Sequence, residues 1–244
     1  MNLRNSFPEK NNREISKISK AYYHHLGDIL LEGIKALTMK EEAALTRYRF
    51  RNPELMDDLY RKKKNAIAVG GHYNNWEWGG IAFGKQILYK SVAFYKPLTN
   101  KYVDNYLTRS RVKGRTALVS IVHTTEVFNK DWGEPAVFIM VADQSPSSTR
   151  MAYWVNFLNQ DTPVLHGPEK YARHYNLPVV YGGVKKIRRG YYELYFRMIC
   201  DDPSKTSHGE ISSTFMQMLE EDILSEPGYY LWSHRRWKHK RTLQ

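Results

Sequence analysis

At 244 residues, 42% of them hydrophobic, the chain can bury a sizeable core in one domain, which excludes disorder as its default state. Lys and Arg number 37 against 25 acids, a net charge of +12, so the expected partner is anionic: nucleic acid, a lipid headgroup surface, an acidic carrier protein or a phosphorylated substrate. Cys200 is the only cysteine, which excludes an intrachain disulfide and a cysteine-based metal cluster.

Polar NLRNSFPEKNNRE follows Met1 directly, unlike a signal peptide, and no apolar run approaches the ~20 residues of a membrane-spanning helix. A soluble or peripheral chain is expected. From Glu14 to Leu37, apolar Ile15, Ile18, Tyr22, Leu26, Ile29, Leu30 and Ile34 recur at helical spacing. Pro53 suits the start of a short second helix through Leu59 and Tyr60, which runs into the basic cluster 61–64. AIAVGG then reads as a buried strand stopped by glycines, followed by a helix over Trp76 to Lys85.

SVAFY predicts a strand and Asn100 to Val112 a helix; TALVSIV predicts a strand and Thr124 to Asn129 a helix. AVFIMVAD is a strand ended by Gln-Ser-Pro, and Pro168 to Tyr175 a helix. LPVVYGGVKKI and YYELYFRMI form a strand pair joined at 188–190, and Ile211 to Leu224 a last helix. Alternating strands and helices predict an α/β fold: a mostly parallel central sheet flanked by helices, with an N-terminal helical lead-in. One domain over 1–244 is expected, divided into a lead-in over 1–64 and a catalytic core over 65–244. The 18 Tyr and 6 Trp suit either a wet–greasy boundary or a core.

AVGGHYNNWEWGG is the segment richest in chemistry. His72 follows the strand and its glycines, and Glu77 lies five residues later. Carboxyl ends of parallel strands are where sites collect in such sheets. A carboxylate brought to the imidazole across the turn would hold one ring nitrogen as a donor and leave the other to take a proton. The spacing equally fits a His that caps a helix and a solvated first-turn acid. Gly70 and Gly71 permit unusual backbone angles and close approach, and Trp76 and Trp78 supply apolar walls. No G-x-S-x-G elbow is present, Cys200 reads as core, and His123, His234 and His239 lack a metal-ligand pattern.

HYNNWE matches the H-x4-[DE] signature of the glycerolipid acyltransferase superfamily, and GGHYNNWEWGG resembles its lipid A late acyltransferase branch (lauroyl and myristoyl transferases). YKPLTNKYVDNYLTRSRVKG, VFIMVADQSP, NFLNQDTPVLHGPEKYARHYNLPVV and YYLWSHRRWK resemble further blocks of that branch, in order, so the likeness runs from about Leu3 to Lys240. The resemblance implies a glycerolipid acyltransferase-like fold, with His72 and Glu77 as the catalytic pair. It implies a substrate-binding role for Arg109 and Arg111 and places Asp143 and Gln144 at the site. Asn75, Thr162 and Gly167 are expected to shape the substrate-binding turns, with amides near Thr162, Gly167 and Pro168 facing an oxyanion.

The implied reaction moves a fatty acyl group from a thioester donor, acyl-acyl carrier protein or acyl-CoA, to a hydroxyl of a lipid A precursor. It needs neither metal nor redox cofactor. A lysophospholipid or aminolipid acceptor is the nearest alternative. A basic nucleic-acid-binding module is a distant one, since no nucleic-acid motif accompanies the charge. The implied place is the cytoplasmic face of a bacterial inner membrane, reached peripherally or through an N-terminal anchoring helix of the kind usual in that branch but absent here. The C-terminal WSHRRWKHKR mixes Trp232 and Trp237 with Arg235, Arg236, Lys238, Lys240 and Arg241; it suits a headgroup layer, or a basic tail with a Trp packed on the core. Asn74 stands where a small residue is expected, and it is predicted to crowd the turn or hydrogen-bond within it.

Overall fold

The computed structural model describes residues 2–102, 104, 105, 108, 115–150 and 152–241. Helix α1 spans Asn2–Ser6, and α2 spans Asn12–Thr38. Asn11 starts α2 with a capping box: its side chain accepts from the backbone of Arg13 and Glu14 while Glu14 reaches back to the Asn11 N–H. Next come α3 (Glu41–Arg47), β1 (Tyr48–Phe50) and α4 (Glu54–Arg61). The core follows with β2 (Ala66–Gly70), α5 (Trp76–Gln86), β3 (Lys90–Tyr95), β4 (Thr116–Ser120), α6 (Thr124–Asn129) and β5 (Ala136–Val141). A hairpin of β6 (Tyr153–Phe157) and β7 (Gln160–Val164) precedes α7 (Gly167–Tyr175), β8 (Val179–Arg188), β9 (Tyr191–Cys200) and α8 (Glu210–Ser225).

Seven strands form one sheet in the order β1-β9-β8-β2-β5-β3-β4, parallel except where β8 turns back into β9. The predicted α/β architecture with its mostly parallel sheet and long N-terminal helix is what the chain adopts. Strand β1, inside the segment read as a helical lead-in, joins the sheet edge beside β9. The β6–β7 hairpin was not expected. Its two-residue loop is Leu158-Asn159, both left-handed at φ 51° and 61°, so no glycine announces the turn. The helix expected over Asn100 to Val112 falls largely outside the described residues.

The sheet is covered on both faces, which is why β2 reads as continuous apolar sequence. Ile67 and Val69 enter one core with Phe138, Tyr181, Phe215 and Leu219. Ala66 and Ala68 face the other, where their small side chains leave room for Trp78 and Phe83 of α5. Gly70 and Gly71 act through close approach rather than unusual backbone angles. A Cβ on Gly70 would stand 3.1 Å from the Gly182 carbonyl, and one on Gly71 2.7 Å from the Leu219 side chain.

The left-handed residue in this turn is Asn74, at φ 55°, a conformation asparagine tolerates better than most residues. Its buried Nδ2 donates to the Val184 carbonyl at 2.7 Å, and its backbone N–H donates to the Tyr229 carbonyl. Asn74→Ala orphans the Val184 oxygen and strains the turn, so urea unfolding is expected to show a loss of about 2–3 kcal/mol. Asn74→Gly, free of the strain, should recover part of it.

Candidate active site

Strands β2 and β5 are adjacent and parallel, with Gly70 paired to Val141 and the Ala142 N–H donating to the Gly70 carbonyl. Two residues beyond that last pair lie His72 on one strand exit and Asp143 on the other. The imidazole therefore meets a carboxylate across the strand ends: His72 Nδ1 is 2.6 Å from Asp143 Oδ1. Asp143 is buried, whereas the His72 side chain keeps 17% of its surface exposed. The acceptor on Nδ1 assigns the proton to that nitrogen and leaves Nε2 as the lone-pair side.

Spacing alone expects Glu77 to aim the imidazole; His72 Nδ1 donates to Asp143, from the neighbouring strand exit. Glu77, half-buried in the first turn of α5, adds its negative charge to the same ring. Burial works against the imidazolium. The charge and hydrogen bond of Asp143, and then the charge of Glu77, outweigh it and hold the His72 pKa above its ordinary 6.5. Burial also opposes ionisation of Asp143, but His72 and Arg236 together keep that carboxyl below its usual range.

The remaining expected residues divide. Gln144 is at the site, its amide nitrogen 3.3 Å from His72 Nε2. Trp76 sets its ring edge-on to the imidazole at 5.0 Å, but Trp78 is buried and donates to the Glu32 carbonyl, so one of the two expected walls serves the core. Asn75 is buried with both ends of its amide engaged, Oδ1 accepting from Trp78 N–H and Nδ2 donating to Glu32 at 2.6 Å. Thr162 is buried in β7, donating to the Gln160 carbonyl and accepting from Trp237 Nε1. Gly167 opens α7 near Met140 of β5. Arg109 and Arg111 lie outside the described residues. Cys200 is buried, as expected.

Sequence reading missed what surrounds Asp143. Tyr230, His234 and Arg236 all come from the C-terminal segment, which crosses the strand exits. His234 Nε2 accepts from the Ser145 N–H at 3.1 Å, and Tyr230 pairs with Tyr73 in an isolated antiparallel bridge. Arg236, read as a headgroup cation, is 1% exposed. The mixed Trp–cation composition of the segment hints that part of it is core; which cation goes in is invisible without the fold.

A cleft of about 730 Å³, lined by Asn65, Leu88, Trp132 and Pro135, lies at the amino ends of β2, β3 and β5, away from His72. Among the described residues no group of three or more His, Cys, Asp or Glu side chains is arranged to hold a metal ion.

A histidine–carboxylate pair thus sits at the carboxyl ends of two parallel strands, the place where sites collect in α/β enzymes. The chain belongs to the bacterial lipid A biosynthesis acyltransferase family, whose profile it matches over residues 1–239, and it is an acyltransferase. It is 23% identical over 248 residues to the lipid A biosynthesis palmitoleoyltransferase of Escherichia coli (strain K12), covering 97% of this chain and 76% of that protein. The same figures hold for a lipid A biosynthesis acyltransferase of Shigella flexneri.

The electrostatic reading is checked by NMR titration of His72, expected above pH 6.5. Asp143→Asn should bring it down by more than Glu77→Gln does; equal shifts would contradict the assigned order of the two carboxylates.

Proposed function

We propose that the chain transfers a fatty acyl group from a thioester donor, acyl-acyl carrier protein, to a hydroxyl of a lipid A precursor, with His72 as general base. The observation that carries this is the hydrogen bond from His72 Nδ1 to buried Asp143, which leaves Nε2 with its lone pair. The acceptor hydroxyl displaces the Gln144 amide beside Nε2 and gives its proton to the ring as its oxygen attacks the thioester carbonyl. Collapse of the tetrahedral intermediate breaks the C–S bond, and the imidazolium returns the proton to the departing sulfur. The products are an ester and a free thiol. Asp143 orients the ring and stabilises the imidazolium, and Glu77 adds to that stabilisation. Arg109 and Arg111 hold an anionic group of donor or acceptor in this reading. The net charge of +12 suits an acidic carrier, acyl-CoA being the other donor of the same chemistry.

Work at the cytoplasmic face of a bacterial inner membrane is part of the proposal. No helix among the described residues is long and apolar enough to cross a membrane. Helix α2 nevertheless exposes Leu30, Leu31 and Ile34, each at 60% or more, and Ile187 at the end of β8 is also exposed. Lys35, Arg188 and Arg189 are exposed nearby in sequence, and Asp28 of α2 pairs with Arg189 at 2.7 Å. The buried side of α2 is tied to the site through Glu32 and Asn75. Apolar side chains rimmed by cations suit an anionic headgroup layer.

Transfer of radiolabelled acyl groups from acyl carrier protein to a lipid A precursor should fall roughly 10²–10⁴-fold in His72→Ala. Transfer that survives intact removes the proposed base. Co-sedimentation with phosphatidylglycerol-containing vesicles should drop when Leu30, Leu31 and Ile34 are all changed to Ser; unaltered binding would rule out this face.

A further inference from the structure

Helix α1 and the first half of α2 line a groove of about 580 Å³, a volume within the ~300–1,000 Å³ usual for small-molecule sites. Three basic side chains face it, Arg4, Lys20 and His24, beside the hydroxyls of Ser16 and Ser19; no carboxylate among the described residues does. Arg4 is held in place, its Nη1 donating to Asn12 Oδ1 at 2.6 Å. That bond uses one of five guanidinium N–H groups and leaves the charge without a carboxylate. Lys20 and His24 have no hydrogen bond or ion pair with any other described residue. The nearby acids are engaged elsewhere: Glu14 closes the capping box of α2, and Asp28 pairs with Lys186 and Arg189.

The groove continues into a stripe along α2. Lys20, His24, Gly27, Leu31 and Ile34 follow one another at four- and three-residue steps, which puts them on one face of the helix. Tyr22, His25, Ile29 and Glu32 fill the buried face opposite. Tyr23, Leu30, Leu31 and Ile34 each keep 60% or more of their surface exposed. A Cβ on Gly27 would meet no atom within 4 Å, so the middle of the stripe is uncovered as well. Leu30 stands about 15 Å of helix beyond Lys20. The stripe is therefore cationic and hydroxyl-bearing at one end and bare aliphatic at the other.

We propose that this groove binds the phosphate of an anionic lipid headgroup, while the aliphatic end of the same stripe enters the acyl region of the bilayer. A guanidinium, an ammonium, an imidazole N–H and two hydroxyls on two helices suit the oxygens of a tetrahedral anion. The aliphatic end decides the source of that anion. A phosphate joined to hydrocarbon uses both halves of the stripe, whereas a nucleic acid brings phosphate and no partner for Leu30, Leu31 and Ile34. The cations at the aliphatic end are already engaged, Arg188 over the Tyr191 ring and Arg189 with Asp28, which leaves headgroup recognition to the groove. The proposal rests on the membrane contact argued above and needs nothing of His72.

Co-sedimentation of the whole chain with vesicles tests it. Arg4→Gln combined with Lys20→Gln should weaken binding to phosphatidylglycerol vesicles about 25-fold, roughly 5-fold per cation, and leave the weaker binding to phosphatidylcholine vesicles unchanged. Lys63→Gln combined with Lys64→Gln removes the same charge just before β2 and should leave both as they are. All four residues are exposed, so each variant should fold as the native chain does. Changing Leu30, Leu31 and Ile34 to Ser should weaken binding to both lipids, so failure of the apolar face and failure of the groove read differently. Inorganic phosphate, followed by NMR, should shift the backbone signals of Ser16 and Ser19 in the native chain and not in the Arg4, Lys20 variant. Those shifts with unaltered phosphatidylglycerol binding would mean a site for the free ion and overturn the headgroup assignment. Equal losses from the groove pair and the control pair would mean diffuse attraction and overturn it too, as would binding that neither pair alters. Vesicle binding needs no turnover, so a chain that binds through the groove yet transfers no acyl group counts against the acyl-transfer reading alone.

Discussion

The register between β2 and β5 is the constraint on which the site depends. Gly70 pairs with Val141, and each strand runs two residues further before its polar side chain appears. A slip of one residue would turn every side chain of one strand to the other face, exchanging Ile67 and Val69 for Ala66 and Ala68 in their cores. The large and small residues on opposite faces of β2 thus lock the register by packing. The same lock brings His72 Nδ1 within 2.6 Å of Asp143. Core packing and catalytic geometry are set by one alignment.

That alignment needs support on both sides of the turn. On the inner side Gly70 and Gly71 let the chain pass close to β8 and α8, where a Cβ would meet backbone or Leu219. Asn74 then takes a left-handed backbone and ties the turn to β8 and to Tyr229 of the C-terminal segment. Asn75 caps α5 and reaches Glu32 of α2, which also accepts from Tyr192 of β9. The doubled asparagine of HYNNWE is therefore a joint between the long N-terminal helix, the sheet and the C-terminal segment. Its two members divide that work, one through the backbone angle and one through the cap.

The excess of cations is spread over distinct roles. Lys186 and Arg189 pair with Asp28, and Arg197 pairs with Glu221. Arg47 and Arg188 both lie over the Tyr191 ring. Arg236 is buried and donates to the Pro163 carbonyl, far from what a solvated basic tail would do. A composition of +12 describes the sum of these and distinguishes none of them.

Much of the architecture was legible because its signals are local. Apolar runs such as AVFIMV, glycine stops and the helical spacing of α2 each report the physics of a short segment, and the predicted strands and helices of the core follow from them. The H-x4-E spacing and its neighbouring blocks likewise point to acyl transfer from the sequence itself. The resemblance placed Asp143 at the site, but its hydrogen bond with the imidazole was not legible, because it lies 71 residues along the chain and meets His72 only through strand pairing. Nor was the inward turn of Arg236, since a guanidinium in a basic run carries no local mark of burial. Sequence alone determined which segments fold and where a histidine would emerge; tertiary structure decided which carboxylate accepts from its ring and which cation of the basic run is buried, because both choices depend on contacts between segments remote in the chain.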